Sequence, residues 1–253
     1  MYGGPGTGTW PPESFLGRLT PPEREALLAR GGHAAYQPGQ HLLVDGDRGG
    51  FVILVHAGQV KVVMQDEQGI EHLLGIRARG SLLGEQSYVD GQPRSASVVA
   101  INQVQASSIA WDKLDLYLRD HPRVSMEIAR VLANRLRASD QTGRDIHSNR
   151  VPVRVAKLLV ELAEAFAEPG RRQAPVIPLS QAEMAQLAHA AEVTVNRVLR
   201  EFRGRRMVRT AYRKVVVPCV VCLDRLASAV SADPKGGAKS VLGCGGTNSH
   251  RSE

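Results

Sequence analysis

Short apolar segments separated by turn residues characterise the chain from about Tyr36 to about Trp111. The segments favoured as strands are residues 41–44, 51–56, 59–64, 71–76 and 95–101. Turn residues fall between them at Gly39, 45–47, Gly58, Gly69 and Gly80. Because they recur roughly every 11 residues, they predict a sandwich or barrel-like β domain with no helix-length segment inside it. A short helix over residues 13–30, ended by Gly31-Gly32, is predicted to precede this domain.

A helical period replaces the strand pattern after Pro122. The apolar residues that recur three or four positions apart are Val124, Ile128, Val131, Leu132 and Leu136. This stripe predicts a helix running to about His147, longer than most globular helices. A long helix with a narrow stripe favours a dimer seam. The alternative, above all for the first half of the helix, is packing on the chain's own β domain.

The C-terminal part has the pattern of a winged helix-turn-helix. A helix is predicted from about Pro152 to residues 168–170, and the Pro-rich link 175–178 follows it. Ser180 and Glu183 form a capping box at the start of the next helix. A tight turn at 189–191 leads into a helix whose inner face comprises Val195, Val198, Leu199 and Phe202. Residues 207–210 and 215–217 then flank the basic hairpin tip 211–214, which predicts a wing.

Charge supports DNA as the partner of this part. The chain has 32 Lys and Arg against 25 Asp and Glu, a net charge of +7. The segment 197–214 holds eight basic residues and the single acid Glu201, so this segment accounts for the whole excess. A focused basic patch on a helix-turn-helix indicates a surface that binds a polyanion, whereas a solvated helix face is the alternative.

Other classes of protein lack support in the sequence. No run approaches the roughly 18 apolar residues of a membrane span. The N-terminus lacks the features of a secretory signal, so we expect a cytoplasmic protein without a membrane partner. Nucleophile-elbow, P-loop and zinc-protease motifs are missing, which argues against an enzyme.

The chemistry of a phosphate site lies in two neighbouring segments. Gly84-Glu85-Gln86-Ser87 is followed after a loop by Arg94-Ser95-Ala96. Backbone amides at a helix start and one guanidinium suit a cyclic phosphate, and Gly84 permits close approach of the backbone. By resemblance to the phosphate-binding cassette of cyclic-nucleotide domains, Arg94 and Ser95 are the expected phosphate donors, and Glu85 is expected to accept from a ribose hydroxyl. The competing interpretation is that Glu85 and Arg94 pair with each other inside the barrel.

These segments resemble the phosphate-binding cassette of cyclic-nucleotide domains. Together with the long helix and the winged helix-turn-helix, roughly residues 13–226 resemble the Crp–Fnr superfamily of bacterial transcription regulators. The resemblance implies an α+β fold with an N-terminal cyclic-nucleotide-binding-type β-roll, a long dimerisation helix and a C-terminal winged helix-turn-helix. The domains we expect are a disordered N-terminus 1–12, a β-roll 13–120, a helix and hinge 121–149, a DNA-binding domain 150–226 and a disordered tail 227–253.

The resemblance also implies an effector and its base contacts. Cyclic AMP is the expected effector, with no metal. Arg135 matches a family arginine near Glu85 and the phosphate. The family's hydroxyl-bearing pair falls on Ser139 and Asp140, where Asp140 replaces a neutral residue usually contributed across the dimer. A carboxylate cannot donate to a ring nitrogen, so a guanine base is an alternative. Some relatives bind another ligand or none.

On the DNA-binding side, Arg197 matches the arginine that reads guanine. Glu192 and Val193 replace the usual Arg-Glu pair, so we expect a half-site that differs from the family's familiar one. The further expected contact residues are Ser180, Gln181, Thr194, Asn196, Arg200, Arg203, Arg213 and Lys214. The resemblance implies that a homodimer binds a pseudopalindrome in double-stranded DNA, and that RNA polymerase is a partner if the protein is an activator.

Three cysteines leave a further alternative open. Cys219 and Cys222 form a C-x-x-C, but a thioredoxin-like βαβ pattern is absent, so we expect ordinary thiols at the last strand. Cys244 and His250 could complete a metal site, and redox or metal sensing remains the alternative. A nucleotide-binding module acting on a protein partner is the remaining class.

Overall fold

The computed structural model of the protein describes residues 10–167 and 173–229. The chain divides into two compact units, the first ending at Gly143 and the second beginning at Arg144. None of the helices in the described ranges is long and apolar enough to cross a membrane.

The first unit begins with two helices and continues as two antiparallel sheets. The helices are α1 (Phe15–Arg18) and α2 (Pro21–Leu28). The strands are β1 (Gly32–Tyr36), β2 (His41–Leu43), β3 (Phe51–Ala57), β4 (Val60–Gln65), β5 (Glu71–Arg77), β6 (Leu82–Leu83), β7 (Ser97–Ala100) and β8 (Val104–Ala110). The helix α3 (Glu85–Asp90) lies between β6 and β7. The sheets have the strand orders β1-β8-β3-β6 and β2-β7-β4-β5.

All five predicted strands are present. They are β2, β3, β4, β5 and β7, and each of their ends lies within two residues of its predicted position. The predicted turn glycines Gly39, Gly46, Gly58, Gly69 and Gly80 all have positive φ. That left-handed backbone is open to glycine at little cost, which is why these residues mark the turns.

The prediction missed three strands and one helix of this unit. Strand β1 contains only small residues, a histidine and a tyrosine, β8 is rich in alanine and serine, and β6 has only two residues, so none shows a strong apolar alternation. Strand β8 nevertheless lies between β1 and β3, and its pairing with both supplies the stabilisation that its own sequence lacks. The helix α4 (Trp111–Asp120) buries Leu114 and Tyr117 at helical spacing, in a segment for which no helix was predicted.

The N-terminal expectations also need correction. The single helix predicted over residues 13–30 is two helices, because the chain is extended at Leu19 and Thr20 before Pro21 starts α2. Residues 10–12 were expected to be disordered, yet Trp10 packs against the buried cluster around Phe15 and Leu16. Residues 1–9 lie outside the described part of the chain.

The long helix was predicted almost to the residue and is α5 (Pro122–Ser148). Val124 and Ile128 are buried in the core of the first unit, so the first half packs on its own β domain, as the alternative interpretation held. Further along, Leu136 is 66% exposed. The stripe thus divides into a buried N-terminal half and an exposed continuation.

The second unit contains the helix-turn-helix and the wing. Its elements are α6 (Val151–Ala165), β9 (Val176–Ile177), α7 (Gln181–Leu187), α8 (Glu192–Gly204), β10 (Arg209–Ala211), β11 (Lys214–Val216) and α9 (Val220–Ala229). The strands form one antiparallel sheet in the order β10-β11-β9. The predicted inner face of α8, formed by Val195, Val198, Leu199 and Phe202, is buried.

Two parts of this unit differ from the prediction. Strand β9 lies in the segment expected to be a Pro-rich link, because Val176 and Ile177 pair with β11, a contact remote in sequence. The tail was expected from residue 227, but α9 continues to Ala229. The predicted helix end at 168–170, the rest of the tail, Cys244 and His250 lie outside the described residues.

Candidate functional site

The two predicted cassette segments meet around one cavity of about 50 Å³. Gly84 to Ser87 approach it from the start of α3, and Arg94 to Ala96 approach it from the loop before β7. Arg135 of α5 also lines it. Leu43, Val62, Leu83 and Val98 complete the lining with apolar side chains. The structure therefore brings together eight of the ten predicted ligand-binding residues.

Arg94 is the buried cation of this cavity, with only 4% of its surface exposed. Its guanidinium donates to the carbonyl of Gly84 at 2.8 Å and to the carbonyl of Phe51. Burial lowers the pKa of Arg94, since a charged group loses hydration there. Glu85 does not form an ion pair with Arg94, contrary to the competing interpretation of the sequence.

Two glycines make room for the Arg94 side chain. A Cβ added at Gly84 or at Gly49 would collide with the guanidinium, and both glycines have positive φ. Gly84 was predicted from the cassette pattern. Gly49 was missed because it precedes β3, more than 40 residues before Arg94, and its role depends on a contact that only the fold creates.

Glu85 pairs with Arg135. The Glu85 side chain is fully buried, whereas the Arg135 side chain is 33% exposed and also donates to the Leu82 carbonyl at 2.9 Å. Burial raises the pKa of the Glu85 carboxyl, against the opposing attraction of Arg135. Among the described residues, Glu85 Oε2 has no hydrogen-bond partner, so this oxygen is a buried acceptor beside the cavity.

The remaining cassette side chains form local hydrogen bonds. Ser95 Oγ donates to Gln86 Oε1 at 3.2 Å, and buried Ser87 Oγ donates to the Pro93 carbonyl at 3.3 Å. Ser139 and Asp140 behave differently, because both are exposed on α5 and neither lines the cavity. Within one chain, the structure does not bring this predicted base-contacting pair to the cassette.

In the second unit, the turn of the helix-turn-helix has the geometry expected from its sequence. Ser180 Oγ accepts from the Glu183 amide at 3.1 Å, while the Glu183 carboxylate accepts from the Ser180 amide at 2.9 Å. Gln181 begins α7 and is partly buried. His189 lies in the predicted tight turn and has φ of +48°, a left-handed conformation that is uncommon for residues other than glycine.

The outer face of α8 carries the predicted DNA-contacting side chains. Val193 is 78% exposed, and Glu192, Arg197, Arg200 and Arg203 are exposed as well. Thr194 and Asn196 are partly buried. Arg203 also donates to Thr210 Oγ1 at 3.3 Å, which connects the end of α8 with the wing.

The wing presents Arg213 and Lys214 as predicted, and both are exposed. Arg213 has φ of +48° and lies 3.7 Å from the Glu183 carboxylate. The prediction did not single out Tyr212, whose side chain is 90% exposed at the hairpin tip. The available signal in the sequence was an aromatic residue at the tip of the basic hairpin, next to Arg213 and Lys214.

Arg154 of α6 is a further residue that the sequence reasoning missed. It donates to the carbonyl of Asn149 at 3.0 Å, to that of Ala188 at 3.1 Å and to that of His189 at 3.0 Å. One guanidinium thus joins the segment before α6 to the helix-turn-helix turn.

The cysteines differ from the expectation of ordinary thiols at the last strand. Cys219 and Cys222 form a disulfide, and they lie at the start of α9, after the wing. The helix α9 packs against α6. Among the described residues, no group of three or more His, Cys, Asp or Glu side chains has an arrangement that could hold a metal ion.

Two protein families match this chain. Residues 34–121 match the family described as cyclic nucleotide-binding domain, and residues 153–226 match the family described as Crp-like helix-turn-helix domain. The first contains the cassette, and the second contains α7, α8 and the wing.

Curated proteins with similar sequences are transcription regulators and not enzymes. A CRP-like cAMP-activated global transcriptional regulator of Mycobacterium tuberculosis is 34% identical over 180 residues, which cover 71% of this chain and 80% of that protein. The cyclic AMP receptor protein of Thermus thermophilus is 28% identical over 209 residues, covering 83% of this chain and 94% of the relative.

Solved structures share the fold. The c-di-GMP responsive global regulator of Xanthomonas campestris superposes with a TM-score of 0.64 at 21% identity, covering 78% of this chain and 99% of that one. A CRP/FNR family transcriptional regulator of Thermus thermophilus gives a TM-score of 0.65 at 22% identity, with coverage of 78% and 98%.

Proposed function

This chain belongs to the Crp–Fnr family of DNA-binding transcription regulators, and on that premise we propose that cyclic AMP gates its binding to DNA as a homodimer. The cavity formed by the two cassette segments carries this proposal. It combines a buried guanidinium, a serine hydroxyl and a buried carboxylate, three groups that suit a phosphate and a ribose.

The groups around the cavity suit the two ends of a cyclic nucleotide. Arg94 and Ser95 would donate to the phosphate, since both line the cavity. Hydrogen bonds to backbone carbonyls orient the Arg94 guanidinium. Glu85 Oε2 is a buried acceptor without a hydrogen-bond partner among the described residues, and a ribose hydroxyl would satisfy it. The cyclic-AMP-activated relative in Mycobacterium tuberculosis supports cyclic AMP as the effector.

The base would be recognised across the dimer. The Ser139 hydroxyl would meet the amino edge of adenine. Asp140 is exposed and does not line the cavity of its own chain, so it would contact the nucleotide of the partner. The exposed continuation of the α5 stripe at Leu136 supports this pairing of two long helices. Guanine is the alternative base, because the Asp140 carboxylate accepts from amino and ring N–H donors.

Calorimetric titration with cyclic AMP and with cyclic GMP tests the effector. We expect saturable binding of cyclic AMP, about ten-fold weaker in Ser95→Ala because one hydrogen bond to a charged group is lost. Ser125→Ala, exposed on α5, is the matched control and should bind as the natural protein does. Tighter binding of cyclic GMP would identify cyclic GMP as the effector in place of cyclic AMP. Absence of binding by both nucleotides would refute gating by a cyclic nucleotide.

We propose that α8 and the wing form the contact with DNA. Arg197 would read guanine in the major groove, while Arg200, Arg203, Arg213 and Lys214 would contact phosphates. In a dimer, two recognition helices would lie about 34 Å apart and fit a pseudopalindrome. RNA polymerase would be a partner if the protein activates transcription.

Selection of bound duplexes from a random pool tests this directly. The expected product is a two-fold symmetric site, and Arg197→Ala should weaken binding to it by about 1–3 kcal/mol. Recovery of a single half-site would refute the dimer, and failure to enrich any duplex at low salt would refute sequence-specific binding as proposed here.

Thiol sensing is the second candidate, favoured by the disulfide between Cys219 and Cys222 at the start of α9. Exchange with a disulfide such as oxidised glutathione would convert two protein thiols to the disulfide and release two reduced thiols. Both α6 and α9 belong to the DNA-binding unit and pack against each other, so a change at the first turn of α9 would be transmitted to α6. The test compares DNA affinity in reduced and oxidised glutathione. A difference that disappears in Cys222→Ser supports sensing, and equal affinity in both buffers refutes it.

A further inference from the structure

A second cavity in the first unit is lined by three arginines. Its volume is about 230 Å³, and its cationic side chains are Arg18 of α1, Arg77 of β5 and Arg135 of α5. Ser81 and Asn134 contribute polar groups, and Glu13 is the one acidic residue among its lining side chains. Three separate elements thus direct positive charge to one place.

Among the described residues, no carboxylate lies within ion-pair distance of Arg77, and the buried Glu85 carboxylate acts on its charge only from farther away. Within the described part of the chain, its guanidinium forms no ion pair, and its hydrogen bond is to its neighbour's carbonyl, Ile76, at 2.8 Å. Burial and the nearby Arg135 charge lower the pKa of Arg77 to about 10. A cation placed in such surroundings gains from any anion that enters.

Arg18 of α1 is the third arginine that lines this cavity. With the Asn134 amide turned so that its oxygen faces α1, that oxygen accepts from Arg18 at 3.2 and 3.3 Å. This contact orients the guanidinium without neutralising it. Arg135 is engaged on its other side with Glu85 and lines both this cavity and the cassette cavity.

We propose that this cavity is a second binding site, distinct from the cassette, for a small phosphate-bearing anion held by Arg18, Arg77 and Arg135. Planar guanidinium groups bind phosphate oxygens in pairs, which lysines cannot do. Three guanidinium groups at one cavity favour a ligand that is mostly phosphate, such as inorganic phosphate or a short phosphate monoester. Phosphate binding at this site does not depend on which nucleotide the cassette binds.

Titration of the full-length protein with inorganic phosphate, at constant ionic strength set by chloride, tests the site. We expect saturable binding that is at least ten-fold weaker in Arg77→Met and in Arg18→Met. Arg18 is only partly buried, so its variant keeps the test valid if Arg77→Met fails to fold. The control is Arg119→Met, an exposed arginine of α4, which should bind phosphate as the natural protein does. Ser95→Ala distinguishes phosphate bound in the cassette from phosphate bound in this cavity.

Three results would overturn the proposal. The first is absence of saturable phosphate binding. The second is equal weakening in Arg119→Met, which would indicate attraction by the overall charge. The third is loss in Ser95→Ala with retention in Arg77→Met, which would assign the phosphate to the cassette. Because no cyclic nucleotide is present, these results are independent of the effector titration above.

Discussion

The Arg135 guanidinium pairs with the fully buried Glu85 carboxylate, although Arg135 itself is one-third exposed. The two residues lie on α5 and α3, 50 positions apart in the chain. The pair therefore fixes the long helix to the cassette, and it depends on a carboxylate that water cannot reach. Removal of Arg135 leaves the buried Glu85 carboxylate without its ion-pair partner.

Arg135→Met is expected to destabilise the first unit by about 3 kcal/mol, the lower end for a broken buried pair. Both tryptophans, Trp10 and Trp111, lie in this unit, so their fluorescence during urea unfolding measures it. Without Arg135, the raised pKa of the Glu85 carboxyl should rise further, so stability should decrease as pH rises from 4.5 through that pKa. The double variant Glu85→Gln, Arg135→Met should lose this pH dependence, and its persistence would contradict the assignment to Glu85.

A second pH dependence is expected at Glu23. A hydrogen bond from Arg123 is the largest influence that lowers the pKa of the Glu23 carboxyl, from 4.5 to about 2. A carboxyl with a depressed pKa stabilises the fold above 4.5, and that stabilisation is lost as pH falls from 4.5 to about 2. Arg123→Met should therefore unfold at lower urea than the natural protein at pH 7, and the two should converge near pH 2. A constant difference across this range would contradict the role of the pair.

Arg154 is expected to stabilise the second unit through its carbonyl contacts. Arg154→Met should cost about 2 kcal/mol, because hydrogen bonds from a charged donor to the Asn149, Ala188 and His189 carbonyls are lost together. Arg154→Lys keeps the positive charge but lacks the several N–H donors of the guanidinium, so it should recover only part of the lost stability. Unfolding followed by circular dichroism measures both variants, and full stability in Arg154→Lys would show that charge alone suffices.

His189→Gly should stabilise the second unit by about 0.5 kcal/mol, since glycine adopts φ of +48° without the strain of a Cβ. His189→Ala should have the opposite effect. The two variants are compared by the midpoint of thermal unfolding. Destabilisation by glycine would mean that the exposed imidazole makes a favourable contact that outweighs backbone strain.

Arg197 and Lys214 should affect DNA binding in different ways. Lys214→Gln should weaken binding to all duplexes and reduce the slope of log affinity against log salt by about 1, because one phosphate contact is lost. Arg197→Ala should cost about 1–3 kcal/mol on the selected site and much less on unrelated DNA. Fluorescence anisotropy at several salt concentrations separates these effects. Equal losses on both duplexes for Arg197→Ala would assign that residue to phosphate.

The sequence by itself determined the features that depend on neighbouring residues. Turn glycines, the 3.6-residue period of α5 and the capping box at Ser180 act over a few positions, so their signals are complete in the local pattern. The order of the cassette residues and the concentration of charge between residues 197 and 214 are equally legible in the sequence.

Only the tertiary structure decided the features that join distant segments. Strands β8 and β9 exist because partners far along the chain pair with them, and Gly49 matters because Arg94 packs on it. The choice of Arg135 over Arg94 as the partner of Glu85 likewise depended on where α5 crosses the cassette. The physical reason is common to all of these: burial and long-range hydrogen bonding are properties of the folded arrangement, and no local pattern encodes which remote group will supply them.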